Sequence, residues 1–304
     1  MALSLAEAAK LSTDVLLKGI IETIVKDSPI LQKLPFIDVV GNSLKYNREL
    51  TLGSAAFYAV GGTWAESAPT FTQKTATLAI MGGDADVDNY LQQTRSNIQD
   101  IQAAVIELKA KAVRHKFEDT FIYGDINVDA NAFDGLRKCI DCTVAGNQVV
   151  TMGGTGATLT LDKLSELIDA VKGGKPDLLL MSRRSRRKLT SLMRALGSME
   201  IAKDEFGNFV QLYNGIPVAI NDWILDTHTL VAGYETATTG STCSTIYAVQ
   251  LGEGALCGLQ NKGIQVEKIG SLETKDATRT RLKWYVSLAD FSLVKRAALI
   301  GVTD

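Results

Sequence analysis

Two cysteines with a spacing known from metal and redox sites are the first candidates for chemistry. Cys139 and Cys142 form a C-x-x-C pair, which zinc sites and thiol redox enzymes both use. A zinc site of this kind needs a second close pair, but Cys243 and Cys257 lie 14 positions apart, and the two histidines have no metal-binding spacing. The sequence therefore favours structural thiols, and it predicts neither a metal site nor a cofactor.

The signatures of phosphate binding and of hydrolysis are incomplete in this chain. Residues 153–156 (Gly-Gly-Thr-Gly) lack the Gly-Lys-Ser/Thr ending of a P-loop and the third glycine of a dinucleotide site, so they predict a surface turn. Neither a Gly-x-Ser-x-Gly elbow nor a His-Glu-x-x-His zinc motif occurs. No catalytic residues are identified on these grounds, and we expect a protein that is not an enzyme.

A single dense cluster of positive charge occupies residues 182–188 (Ser-Arg-Arg-Ser-Arg-Arg-Lys). Lysine and arginine side chains release the counterions of nucleic acid, so contact with a polyanion is one interpretation. On a helix, however, these side chains point in several directions around the axis, which favours a solvated or interface-pairing face. The whole chain has 32 Lys and Arg against 34 Asp and Glu, a formal charge of −2, so we expect no general attraction to nucleic acid or to anionic membranes.

Length and composition are those of an ordinary folded protein. The 304 residues are 46% hydrophobic, which is ample for one large domain or two smaller ones. No stretch approaches the ~18 consecutive apolar residues of a membrane helix, and the N-terminal residues lack the pattern of a secretory signal. With four cysteines and no export signal, we expect a soluble protein with reduced thiols, made inside a cell.

Residues 43–80 have the pattern of a long two-stranded arm. Leu44, Tyr46 and Arg48 begin an alternating strand, a glycine-rich tip follows, and residues 70–80 return as a second strand rich in threonine. The arm has no apolar face large enough to form a core of its own, and isolated hairpins are only marginally stable in water. It therefore needs a partner surface, which is either a neighbouring molecule or its own domain.

Two helices are predicted in the first half of the chain. One covers residues 3–25 and ends before the proline at position 29. The other covers residues 88–123, and with some 30 residues it would span about 45 Å. Asp84, Asp86 and Asp88 are expected near its N-terminus, where the helix dipole favours negative charge. Its apolar stripe is predicted to consist of Leu91, Ile98, Ile101, Val105, Leu108, Ala112, Phe117 and Phe121.

The second half of the chain alternates between helix and strand patterns, which is typical of a mixed α/β domain. Two longer runs, residues 264–269 and 278–293, alternate with a period near two and are expected to pair as antiparallel strands around a loop at 270–277. The shorter predicted elements are helices over residues 161–171 and 182–196, and strands over residues 177–181, 216–220 and 245–251.

Four local motifs follow one another along the chain. They are Tyr123-Gly124-Asp125 with Phe133-Asp134-Gly135-Leu136 after the long helix, Pro176 to Met181 before the helix at Ser182, Asn214-Gly215-Ile216-Pro217-Val218, and the strand from Arg281 to Phe291. Together with the order of the elements over nearly the whole chain, they resemble the major capsid proteins of tailed bacteriophages, which have the Hong Kong 97-type fold.

The resemblance implies an α+β capsid protein that self-assembles into hexamers and pentamers of an icosahedral shell. That shell would enclose double-stranded DNA without sequence-specific binding, in a virion assembled in the host cytoplasm. Separate scaffolding and portal proteins are then the expected partners, with no membrane. The implied segments are an N-terminal arm over residues 1–40, an extended E-loop over 41–82, a P-domain with a spine helix over 83–149, an A-domain over 150–262, and returning P-domain strands over 263–304 with a P-loop near 270–277.

The resemblance also leads to a set of possible contacts between subunits. Some family members cross-link a hairpin lysine to a neighbour, and Lys74 is a conceivable donor, although no acceptor or catalytic acid is identified. Two alternatives stay open: an encapsulin-like bacterial compartment, and a nucleic-acid-binding α/β protein that uses residues 183–188. The expected contact residues are Trp64, Lys74, Glu273, Lys275, Arg183 and Arg186.

Overall fold

The computed structural model describes most of the chain but little of its N-terminal arm. The helix predicted over residues 3–25 lies outside the described residues except at four positions. There Leu3–Ser4 form a short strand instead of a helix, whereas Ile20 and Ile24 are helical and buried. The described residues are 3–4, 20, 24, 28–51, 54–95, 101–143, 146, 148–197, 200–203, 207, 209–231, 233–237 and 240–303.

Helices and strands alternate along the described chain. The helices are α1 Pro29–Lys33, α2 Asn89–Arg95, α3 Ile101–Tyr123, α4 Leu136–Ile140, α5 Leu161–Ala170 and α6 Arg183–Ala195. The strands are β1 Leu3–Ser4, β2 Pro35–Asp38, β3 Ser43–Thr51, β4 Thr70–Thr77, β5 Ala79–Asp88, β6 Val149–Thr151, β7 Ala157–Thr158, β8 Leu178–Met181, β9 Glu200–Lys203, β10 Phe209–Tyr213, β11 Ile216–Ile220, β12 Thr229–Val231, β13 Tyr234–Ala237, β14 Ser244–Val249, β15 Leu256–Ser271, β16 Ala277–Asp290 and β17 Arg296–Thr303. Among the described helices, none is both long and apolar enough to cross a membrane.

The long strands β15 and β16 form the centre of a five-stranded sheet with the order β1-β2-β15-β16-β5. Their pairing runs from Leu256 opposite Asp290 to Ser271 opposite Thr278, so the predicted antiparallel pair is confirmed and the turn is confined to residues 272–276. β15 begins earlier than predicted. Its first five residues are all buried and therefore lack the alternation by which a half-exposed strand is recognised.

Helix α3 packs on one face of this sheet through its aromatic residues. The rings of Phe117 and Trp284 lie 5.0 Å apart, and both side chains are fully buried. The predicted apolar stripe is only partly right, because Leu91, Leu108 and Ala112 are exposed. Ile98, which was also assigned to the stripe, lies outside the described residues. The stripe that is buried, with its members spaced three or four residues apart, consists of Ile106, Ala110, Val113, Phe117 and Phe121, and Ile122 is buried beside it.

The acidic residues expected at the start of the long helix belong to two different elements. Asp88 does cap α2, since its Oδ1 accepts hydrogen bonds from the backbone N–H groups of Tyr90 (2.8 Å) and Leu91 (3.2 Å). Asp84 and Asp86 instead lie on β5, so the prediction for these two is wrong. The returning strand of the arm stops at residue 77, and the chain continues as β5 along the edge of β16.

The second sheet has eight strands in the order β6-β17-β14-β8-β11-β10-β9, with β7 beside β17. Strand β8 separates two cores, because Leu178 and Leu180 face the core that contains α3, whereas Leu179 and Met181 face the core beneath α5 and α6. The helices and strands predicted in this region are confirmed. Ser182 caps α6 as expected, since its Oγ accepts from the Ser185 N–H at 3.3 Å.

Candidate assembly surfaces

The predicted two-stranded arm is present as a separate hairpin of β3 and β4. The strands pair from Ser43 opposite Thr77 to Thr51 opposite Thr70 and form a two-stranded sheet of their own. Six of the eight residues of β4 are exposed. The hairpin therefore leaves most of β4 accessible to other molecules.

The base of the hairpin is attached to the body through one buried acidic residue. Arg48 donates to Oδ2 of Asp290 at 2.7 Å, and Arg296 donates to Oδ1 of the same carboxylate at 2.6 Å. Burial raises the pKa of Asp290, although both arginines oppose the shift. Beside this cluster the rings of Tyr46 and Phe291 lie 4.7 Å apart. Charge and packing thus join the hairpin to the end of β16.

The tip of the hairpin exposes large apolar side chains even though its backbone is ordered by internal contacts. Tyr58 and Trp64 stack with ring centroids 4.3 Å apart, and the Tyr58 hydroxyl accepts from the Ala65 N–H at 3.1 Å. Nevertheless Trp64 is 77% exposed, and Phe57 and Val60 are fully exposed. An ordered apolar surface of this kind is characteristic of a protein interface.

A second exposed surface is a ladder of ion pairs across β15, β16 and β5, which the sequence analysis missed. Arg281 binds Asp84 at 2.6 Å and Arg279 binds Asp86 at 2.6 Å, so each arginine holds the pKa of its partner carboxyl below the usual range. A third ion pair, between Lys283 on β16 and Glu267 on β15 at 2.8 Å, extends the ladder to β15. The alternating basic residues of β16 could have indicated this ladder. Their acidic partners, Asp84 and Asp86, were instead assigned to the start of a helix.

The sequence analysis also missed a buried polar cluster where α3 meets α4 and β13. His228 Nδ1 lies 2.8 Å from Glu235 Oε1, its Nε2 lies 2.8 Å from the Tyr123 hydroxyl, and Arg137 Nε donates to Glu235 at 3.0 Å. Burial by itself would raise the pKa of Glu235, but hydrogen bonds from His228, Thr245 and Arg137 outweigh burial and lower it. The cluster fastens α3 to the second sheet.

The cysteines of the C-x-x-C pair are free and lie in surroundings that suppress their reactivity. Burial raises the pKa of Cys139 to about 12 and raises that of Cys142 further. Both remain protonated thiols at neutral pH, and a thiol is neither a good nucleophile nor a metal ligand. Within the described ranges, no group of three or more His, Cys, Asp or Glu residues is placed to hold a metal ion.

A comparison with protein-family models identifies the family of this chain. The family model described as "SU10 major capsid protein" matches residues 13–232, which is more than half of the chain. The chain belongs to this family. It is therefore a structural subunit of a phage-type shell, in which copies of one chain associate. No curated protein matches the capsid protein at a significant level.

Solved structures with little sequence identity share the fold of this capsid protein. An encapsulin from Synechococcus elongatus PCC 7942 has 18% identity and a TM-score of 0.67, covering 100% of this chain and 97% of its own. The structure from Mycobacterium phage Bobi has 17% identity and a TM-score of 0.63, covering 100% of this chain and 99% of its own. The capsid of a native GTA particle has 15% identity and a TM-score of 0.64, covering 92% of this chain and 91% of its own. The predicted Hong Kong 97-type fold is confirmed.

The contact residues expected from the resemblance lie on three different elements of the capsid protein. Trp64 is at the hairpin tip and Lys74 is exposed on β4, above the Asp290 cluster. Glu273 and Lys275 are exposed in the turn between β15 and β16. The structure does not bring these elements together within one chain. The two expected residues on α6 are Arg183, which binds Asp222 at 2.5 Å, and the partly buried Arg186.

Proposed function

We propose that this capsid protein assembles into hexamers and pentamers of an icosahedral shell that encloses a double-stranded DNA genome. Family membership supports a shell subunit, and the exposed hairpin carries the proposal further. A two-stranded hairpin is marginally stable alone, yet this one holds an ordered tip with Phe57, Val60 and Trp64 in water. Lying across a neighbouring subunit would bury these side chains and use the hairpin as an inter-subunit clamp.

The segments implied by the resemblance form part of the same proposal. In it, residues 1–40 are the N-terminal arm, 41–82 the E-loop and 150–262 the A-domain. The P-domain combines residues 83–149 with the returning strands of 263–304. The proposed contacts with neighbours are Trp64 and Lys74 on the hairpin, Glu273 and Lys275 in the P-loop near 270–277, and Arg183 and Arg186 on α6.

Scaffolding and portal proteins complete the proposed assembly, which takes place in the host cytoplasm and ends in the virion. The test is negative-stain microscopy of the full chain, expressed alone and together with candidate scaffolding proteins. Closed shells, tubes, or rings of five and six subunits are the expected result. A chain that stays monomeric under both conditions would count against self-assembly.

A compartment shell that holds protein cargo is the second candidate. It is favoured by the encapsulin from Synechococcus elongatus, whose structure covers the whole of this chain with a TM-score of 0.67. The contents of purified particles distinguish the two candidates, because DNA raises the ratio of absorbance at 260 nm to that at 280 nm. Nuclease-protected DNA inside the particles favours the genome shell. Particles that carry protein but no nucleic acid favour the compartment.

A further inference from the structure

Helix α6 carries a row of cations that form no ion pair with the residues that the structure describes. The structure divides the basic cluster into two parts. Arg183 forms a bidentate pair with Asp222, and Arg184 lies 3.5 Å from Asp226 while donating to the Thr242 carbonyl. In the described part of the chain, no ion pair is made by the side chains of Arg186, Arg187, Lys188 and Arg194.

The geometry of the helix places these cations on its outer side. Ser185, Leu189 and Met193 are buried against the second sheet, and a helix turns about 100° per residue. Arg187 and Arg194 therefore point away from the sheet, and both are exposed. Their Cα atoms are about 10 Å apart along the axis, given a rise of 1.5 Å per residue. Lys188 flanks this ridge, whereas Arg186 lies beside the buried face and its Nε is shielded from solvent.

The chemistry of the ridge fits a regular polyanion better than an acidic protein segment. The thirteen residues of α6 include no acidic side chain, and none of the exposed large apolar side chains lies on the helix. Protein interfaces gain most of their affinity from buried apolar and aromatic anchors, whereas contacts to a nucleic-acid backbone come mainly from arginine and lysine. Leu196, which is exposed, directly follows the last residue of the helix.

We propose that the outer face of α6, formed by Arg187, Lys188 and Arg194, binds the phosphate backbone of the enclosed DNA. This inference rests on the proposed genome shell and names a surface through which the shell contacts its contents. Binding to the backbone is independent of base sequence, because phosphate contacts carry no sequence information. A net charge of −2 for the whole chain keeps each contact weak.

The test compares the salt dependence of DNA binding by full-length subunits before assembly. The probe is a fluorescent duplex of thirty base pairs, and the variant is Arg187→Gln/Lys188→Gln/Arg194→Gln. Removing three phosphate contacts is expected to reduce the slope of log K against log salt concentration by about 2 to 3. At low salt the variant should bind at least about tenfold more weakly.

A matched control removes the same charge from three other helices. Lys111, Lys138 and Lys163 each sit in an exposed ion pair, with Glu107, Asp125 and Glu166, so the control is Lys111→Gln/Lys138→Gln/Lys163→Gln. The control should keep the slope of the unmodified chain. Equal slopes for the two triple variants, or no salt-dependent binding by the unmodified chain, would overturn the proposal. So would tighter, α6-dependent binding of a poly-glutamate peptide, which would assign the face to an acidic protein.

Assembly of the same variants separates this inference from the proposed shell. If the α6 variant forms normal shells but binds DNA as the unmodified subunit does, the α6 contact is wrong and the shell remains. If the unmodified chain forms no shells with any scaffold, the shell proposal itself fails.

Discussion

Arg48 on the hairpin donates a 2.7 Å hydrogen bond to Asp290 at the end of β16, although the two residues are 242 positions apart in the sequence. Arg296 holds the other oxygen of the same carboxylate, and all three side chains are largely buried. The direction of the hairpin therefore depends on a charged joint that is built from the strands of the body. Loss of this joint should affect both folding and assembly.

Replacing Arg48 by methionine is expected to lower the free energy of unfolding by about 3 kcal/mol. The change leaves Asp290 buried with only one of its two arginines, and removal of one partner from a buried ion pair costs about 3–5 kcal/mol. Urea unfolding monitored by circular dichroism measures the effect. The control is Lys163→Met, which breaks the exposed pair with Glu166 and should cost no more than about 0.5 kcal/mol. Equal losses in the two variants would contradict a special role for the joint.

Polar substitutions at the hairpin tip are expected to prevent assembly without unfolding the subunit. Phe57 and Val60 are fully exposed in the single chain, so the variant Phe57→Ser/Val60→Ser loses no buried area in the isolated subunit. It should retain its melting temperature but form no shells in negative-stain images. Val128→Ser serves as control, because Val128 is 87% exposed and lies outside the hairpin. Normal shells from the tip variant would exclude the tip as a required contact.

The Glu235 cluster should make the stability of the chain sensitive to acid. The pKa of the Glu235 carboxyl is lower in the folded chain than the ordinary value of 4.5, so the unfolded chain binds the proton more tightly. The stabilisation is complete above pH 4.5 and is lost as the pH falls through the lower folded value. Glu235→Gln should destabilise the chain by about 3 kcal/mol at pH 7, and the difference from the unmodified chain should shrink below pH 4.5.

Urea titrations at a series of pH values between 3 and 7 test this linkage. As a control, Glu107→Gln alters an exposed carboxylate on α3 and should follow the pH profile of the unmodified chain. A constant difference between Glu235→Gln and the unmodified chain over the whole range would show that folding does not change the pKa of Glu235, and would contradict the prediction.

Any side chain at Gly82 is expected to lower the stability of the folded chain. A Cβ at this position of β5 would lie 2.2 Å from the Leu282 carbonyl oxygen on β16, which is backbone and has little freedom to move. Gly82→Ala should therefore cost about 1–3 kcal/mol, as overpacking usually does. At Gly154 a Cβ would meet nothing within 4 Å, so Gly154→Ala should leave stability unchanged or raise it by less than about 1 kcal/mol. Thermal melts compare the two, and equal melting temperatures would contradict the close approach of β5 to β16.

Features that depend on neighbouring residues could be predicted from the sequence. The hairpin, the Ser182 cap and the strands over 178–181 and 216–220 follow from alternation, capping residues and turn residues a few positions apart. The basic cluster was found in the same way, as was the thiol pair. The order of these elements was also sufficient to indicate the capsid family.

Features that depend on the partner of an element were predicted poorly. The periodicity of α3 indicated an amphipathic helix, but the face that is buried was decided by Trp284 and the sheet beneath it. Asp84 and Asp86 looked like helix-terminal charges because their arginine partners are 197 and 193 positions away. Which cations of α6 form ion pairs likewise depends on a distant loop, because that loop supplies Asp222 as the partner of Arg183.

The sequence by itself thus determined most of the helices and strands and their order, because these follow from local backbone preferences and short-range spacing. Its resemblance to known capsid proteins indicated the family. Only the tertiary structure decided which charges are neutralised and which apolar side chains stay exposed. Both depend on contacts between residues far apart in the chain, whose register is set by the packing of whole sheets and helices. For a shell subunit these are the properties that define its contact surfaces.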